Sequence, residues 1–86
     1  MKYSLKIEGR AAKDLKSLDT RTQKRIIKKL KFYLNSKDPL AYAKMLSDRK
    51  DADYRWRIGN YRAVFDVKGS TIRLLRVRHR KEVYRR

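Results

Sequence analysis

The sequence predicts a single α+β domain spanning residues 1–86, with an N-terminal strand and a helical hairpin ahead of an antiparallel sheet of about four strands in total, and a short C-terminal helix. Three observations carry that expectation. Residues 54–67, YRWRIGNYRAVFDV, alternate with period two around Gly59-Asn60. Residues 71–84, TIRLLRVRHRKEVY, answer them across Gly69-Ser70. Residues 20–35 instead repeat their apolar side chains at helical spacing.

Taken in order, Tyr3, Leu5 and Ile7 alternate with Lys2, Ser4 and Lys6, a short half-buried strand ending at Glu8-Gly9. Ala11, Leu15 and Leu18 then recur at helical spacing, and Asp19 or Thr20 caps a second helix. On that helix Ile26, Ile27, Leu30, Tyr33 and Leu34 form one stripe, while Arg21, Lys24, Arg25, Lys28, Lys29 and Lys31 fill the rest of the circumference. Two antiparallel helices of this kind cover one face of a sheet. Pro39 stops the helix because its ring disfavours helical geometry at Asp38. Residues 40–46 read as one more short helical segment carrying Met45 and Leu46 inward, and residues 47–53, SDRKDAD, as a solvated polar loop without the spacing of a calcium site.

Glycine at the first central position suits a type II′ turn, which pairs Ile58 with Tyr61, Arg57 with Arg62, Trp56 with Ala63 and Tyr54 with Phe65. Across the second turn, Asp66 falls opposite Arg73 and Phe65 opposite Leu74. The adjacent Leu74-Leu75 pair breaks the alternation, through either a bulge or cover on both faces. Like charges directly opposite each other destabilise a strand pair by a few tenths to about 1 kcal/mol. The Arg57–Arg62 pair therefore asks for an anion.

The totals point the same way. There are 26 lysines and arginines against 9 acidic residues, a formal charge of +17, which on so small a surface attracts polyanions and makes nucleic acid the leading partner class. Cysteine is absent, which excludes disulfides and thiolate metal sites. Apolar runs of signal-peptide or membrane-spanning length are also missing, so a soluble cytoplasmic protein without a membrane partner is expected.

RNA cleavage without a metal uses the neighbouring 2′-hydroxyl as nucleophile. The catalyst must accept its proton, stabilise the anionic transition state and protonate the leaving 5′ oxygen. Arginine suits only the second task, which makes Arg55, Arg57, Arg62 and Arg80 candidate phosphate clamps. Proton transfer falls to His79, Tyr84, Lys81 or Glu82. Arg78, Lys81, Lys28 and Lys31 are candidate RNA-binding cations, Lys28 and Lys31 lying on a helix face that is equally a solvated surface. With one histidine and no cysteine, neither a metal nor another cofactor is expected.

The order of strand, helical hairpin, YRWRIGNYRAVFDV and LLRVRHRKEVY resembles the RelE/ParE superfamily of small bacterial and archaeal toxins over essentially the whole chain. Within it the basic hairpin and HRKEVY ending are most similar to the RelE branch. The resemblance implies a RelE-like fold and a ribosome-dependent endoribonuclease (an mRNA interferase) that cuts mRNA in the A site and inhibits translation. Its implied partners are mRNA, rRNA and a cognate acidic antitoxin. It also implies that Arg55 and Arg57 stand where RelE enzymes often carry lysines, that Arg62 and Arg80 match the family's arginines, and that Tyr84 matches its terminal catalytic tyrosine. Arginine cannot take over a lysine's proton transfer. The resemblance implies His79 for that work, since some relatives carry a histidine just before the arginine that Arg80 matches, and which group is the base stays open. Two alternatives remain open at this point, a ParE-like inhibitor of DNA gyrase and a nonenzymatic RNA-binding module.

Overall fold

The computed structural model describes residues 2–46 and 52–83, which form strands β1 (Ser4–Ile7), β2 (Ala43–Met45), β3 (Tyr54–Ile58), β4 (Tyr61–Lys68) and β5 (Thr71–His79). Helices α1 (Gly9–Lys16) and α2 (Thr20–Asn35) lie between β1 and β2, and α3 (Arg80–Val83) follows β5. The sheet order is β1-β5-β4-β3-β2.

Both hairpins form in the register expected from their turns. Ile58 pairs with Tyr61, Arg57 with Arg62, Trp56 with Ala63 and Tyr54 with Phe65. In the second hairpin Lys68 pairs with Thr71, Asp66 with Arg73 and Phe65 with Leu74. Gly59 and Gly69 have φ of 59° and 61°, and neither Asn60 nor Ser70 has a positive φ, as type II′ turns require. The register slips at Val64/Phe65, so that Val64 faces Arg76 and Leu75 is the extra residue. A bulge is thus what breaks the alternation at Leu74-Leu75.

The structure corrects two expectations about the sheet's edges. It is mixed, not wholly antiparallel, because β1 runs parallel to β5 with Leu5 opposite Ile72. Parallel neighbours need a connection of a dozen or more residues, and here residues 8–70 supply it, α1 and α2 carrying the chain over to the far edge before β2, β3 and β4 lead back to β5. The other edge is β2, where a helical segment was expected. Only Pro39–Tyr42 turns, as a 3-10 helix, after which Ala43–Met45 pairs with Trp56, Arg55 and Tyr54. The exposed backbone of β3 supplies ladder partners that outweigh the segment's local helical preference. Met45 accordingly points outward, 55% exposed, and not into the core.

The core lies between the helices and one face of the sheet. Ile26, Leu30 and Tyr33 of α2 meet Trp56, Phe65, Ile72 and Leu74, with Ala11 and Leu15 from α1. Ile27, expected in the same stripe, is displaced to the rim at 37% exposure, since it follows Ile26 by 100° around the helix. Trp56 is wholly buried, its ring centroid 5.0 Å from Tyr33 and 4.1 Å from Phe65. Its indole N–H donates to the Pro39 carbonyl at 3.1 Å, which satisfies the one polar group such a ring buries. Asp19 caps α2, accepting from the Thr22 amide at 3.3 Å.

Where β5 runs on past the end of β1, α1 takes over its edge. Asp14 accepts hydrogen bonds from the Val77 amide at 2.9 Å and from Arg76 Nε at 2.8 Å. Burial pushes the Asp14 carboxyl upward, but the bonds from Arg76 and Val77, with the charges of Arg76 and Arg78, outweigh it and hold the group below the usual carboxylate range.

Candidate functional site

Three strands bring three arginines into one lateral row, in which Arg57 of β3 faces Arg62 of β4 and Arg62 faces Arg78 of β5. Neighbouring strands are about 4.8 Å apart, so these side chains leave the sheet side by side. The next row, Trp56–Ala63–Val77, points into the core beneath the helices. Strict alternation then aims the arginine row at the opposite face. One row further on, Arg55 pairs with Val64 and Val64 with Arg76, while Lys44 of β2 extends that row beside Arg55.

Arg62 is the most enclosed of these cations, only 3% exposed. Its Nη1 donates to the Gly59 carbonyl at 3.1 Å and the Tyr61 carbonyl at 3.0 Å, so the hairpin turn holds the guanidinium. Carbonyl acceptors fix its position and leave its positive charge in place. Arg57 is exposed and Arg78 half-buried. The row thus has its fixed arginine in the middle, with a more accessible one on each side.

The β5–α3 junction closes the same end of the sheet. The Arg80 amide donates to the Asn60 carbonyl at 2.7 Å, tying the start of α3 to the first turn. His79 pairs with Tyr61 across β4 and β5, their rings edge to face at 5.3 Å. Its Nδ1 accepts the Lys81 amide at 3.2 Å. That contact selects the tautomer whose proton is on Nε2, leaving Nε2 as a donor. Arg80 and Lys81 are exposed.

The residues singled out in the sequence thus divide. Arg57, Arg62 and Arg78 share a row, whereas His79 falls in the next row with Ile58 and Tyr61, on the helix side of the sheet, and Arg80 and Lys81 follow it at the strand end. Arg55 lies two positions along β3 on the same face. Lys28 and Lys31 stand on α2, across the sheet from the arginine row. Tyr84 lies outside the described residues. Lys44 was not legible as part of the basic face, since its place depends on the unexpected strand β2. Among the described residues, no group of acidic, histidine or cysteine side chains is arranged to hold a metal ion.

Residues 5–84 match the family model described as the ParE toxin of type II toxin-antitoxin systems, parDE. The chain belongs to this family of toxins. It falls within the RelE/ParE superfamily, and its structural likenesses mark it as a RelE-like toxin of a type II toxin-antitoxin system. In the toxin-antitoxin complex RelBE2 from Mycobacterium tuberculosis, the matching chain is 26% identical, with a TM-score of 0.77 over 92% of this toxin and 99% of that chain. The archaeal RelE-RelB complex from Pyrococcus horikoshii matches at 26% identity and a TM-score of 0.72, covering 93% and 97%. The RelB-RelE complex from Methanococcus jannaschii matches at 32% identity and 0.69, covering 91% and 93%. A search of curated proteins gives no significant match.

Proposed function

We propose that this toxin is a metal-independent endoribonuclease that cuts mRNA in the ribosomal A site and is neutralised by a cognate acidic antitoxin. The observation that carries the reading is the Arg57–Arg62–Arg78 row, which leaves one face of the sheet side by side, with His79 in the adjoining row at the end of β5 and Arg80 following it. In the reaction the 2′-oxygen attacks the adjacent phosphorus, and the bond to the 5′ oxygen breaks. A 2′,3′-cyclic phosphate and a 5′-hydroxyl result. Negative charge grows on the phosphoryl oxygens, and prearranged guanidinium groups lower the energy of that state more than that of the substrate.

With Nδ1 accepting the Lys81 amide, neutral His79 offers a phosphoryl oxygen an Nε2–H hydrogen bond, and protonation of the leaving 5′ oxygen is assigned to its imidazolium form, in which Nδ1 takes up a proton and gives up that contact. Removal of the 2′-hydroxyl proton is then assigned to Tyr84, on the strength of the family resemblance. Cations on both sides of the sheet favour a ribosomal setting, where rRNA offers phosphates to Lys28, Lys31, Arg55 and Lys81 while the arginine row, Arg78 included, meets mRNA. Such a reaction is cytoplasmic. No helix among the described residues is long and apolar enough to cross a membrane.

The antitoxin assignment draws support from the RelB partners in the similar structures and from the +17 charge, which an acidic segment complements. The family model's description favours one second reading, a ParE-like gyrase inhibitor. Programmed ribosomes separate the two. Cleavage within the A-site codon, leaving a cyclic phosphate, is the expected result. Intact mRNA together with inhibited gyrase supercoiling would replace the nuclease with the inhibitor.

A further inference from the structure

A second basic surface lies on the helix side of the molecule, away from the arginine row. Arg25, Lys28, Lys29 and Phe32 of α2 face Ile58 and Gly59 across an open groove of about 400 Å³. Ile58 is buried at its floor, while Phe32 at the rim is 51% exposed. Over its whole length Thr20–Asn35 carries six lysines and arginines and no acidic residue. Gly59 has no side chain to fill the groove, and a Cβ there would meet open space.

The Phe32 ring is held by its neighbours with no other ring stacked on it. It meets Tyr33 at 5.9 Å and Tyr42 at 5.7 Å between centroids, both in edge-type geometry, so neither ring stacks parallel on it. Lys29 Nζ lies over the ring, 4.9 Å from its centroid, a cation–π contact on a flexible side chain that a stacking base would displace toward its own phosphate. An aromatic face bordered by cations is the arrangement by which proteins bind single-stranded nucleic acid, the base stacking and the phosphates pairing.

We propose that this groove binds one unstacked nucleobase of single-stranded RNA on Phe32 and Ile58, with Arg25, Lys28 and Lys29 meeting the flanking phosphates. The inference rests on the reading of the chain as a toxin that acts on RNA, but not on its catalytic step. Charge complementarity alone also admits an acidic protein helix. Such helices bind through apolar anchors repeated at i, i+3 or i+4, and i+7, spread over about 10 Å. Here Phe32 and Ile58 form a single apolar position among three cations, which fits one flat ring flanked by anions.

The test uses the full chain and a fluorescent 2′-O-methyl oligouridine of about 12 nucleotides, which cannot undergo 2′-hydroxyl cleavage and lies within the usual site size. Inorganic polyphosphate, a competitor without bases, measures the charge contribution separately. Phe32→Ala is expected to weaken oligouridine binding by about 5- to 100-fold, the scale of one base–aromatic stack, and to leave polyphosphate binding unchanged. Phe32→Trp should restore oligouridine affinity, and Lys28→Ser should weaken both ligands. Because Phe32 is half exposed, circular dichroism of each variant should match the parent.

Parental oligouridine affinity in Phe32→Ala, or equal losses for both ligands, would overturn the proposal. So would Phe32-dependent capture of an acidic amphipathic peptide without Phe32-dependent RNA binding. Ribosomal cleavage is scored independently. Phe32-dependent binding without cleavage would remove the nuclease reading and keep the groove, whereas cleavage by the parent without Phe32-dependent binding would do the reverse.

Discussion

The Tyr33 hydroxyl donates a hydrogen bond of 3.0 Å to the Arg57 carbonyl oxygen. β2 pairs with β3 only as far as Trp56, so the next stretch of β3 presents an open edge to α2. Tyr33 closes this edge at β3, as Asp14 closes the opposite edge at Val77 of β5. Burial, reinforced by the neighbouring Tyr42, pushes the Tyr33 phenol above its usual range and keeps it a donor. Tyr33→Phe preserves the stack on Trp56 but leaves the Arg57 carbonyl without this partner. A loss of about 1 kcal/mol is expected in urea unfolding, with the slope unchanged.

Asp14 makes stability depend on pH in a definite direction. Its folded carboxyl is held below the unfolded value of about 3.9, so its stabilisation is fully present above that pH and fades as pH falls toward the folded value. Asp14→Asn should cost roughly 2 kcal/mol near neutrality, the scale of hydrogen bonds to a charged acceptor. The gap between parent and variant should narrow as pH is lowered from about 5 toward 2. A gap that stays constant over that range would show that the carboxylate's charge contributes nothing.

Arg57 and Arg62 should separate chemistry from folding. Arg57 is exposed, so Arg57→Ala should lower the single-turnover cleavage rate by about 10² to 10³-fold with the unfolding midpoint nearly unchanged. Arg62 is buried against the turn carbonyls, and Arg62→Ala should add a stability loss of about 1 to 3 kcal/mol to a similar loss in rate. Ribosome binding should weaken far less in either variant, because many cations still face rRNA.

For proton transfer the informative pair is His79→Ala and Tyr84→Phe. Each is expected to slow cleavage by about 10² to 10⁴-fold and to alter the rate's pH profile, while Tyr84→Phe retains the ring. Parental rates in both would remove the proposed acid–base pair and return the gyrase and binding-module readings.

Local chemistry alone determined the hairpins. Gly59 and Gly69 each supply the positive φ of a type II′ turn, and once a turn is set, alternation leaves no freedom in which residue faces which. The Arg57–Arg62 pair, the Asp19 cap and the stripe of Ile26, Leu30 and Tyr33 were legible for the same reason, since each depends on residues within a few turns or one hairpin. The two edges were not. Alternation in Ser4–Ile7 shows which side chains share a face but not that the strand lies parallel to one 67 residues away, where Ser4 meets Thr71. At the other edge, Ala43–Met45 is too short to carry a period, and the open hydrogen-bonding groups of β3 make it a strand. The third arginine joins the row by the same kind of non-local decision. Arg78 stands opposite Arg62 only because Leu75 bulges, shifting every later residue of β5 by one place and reversing the face each presents.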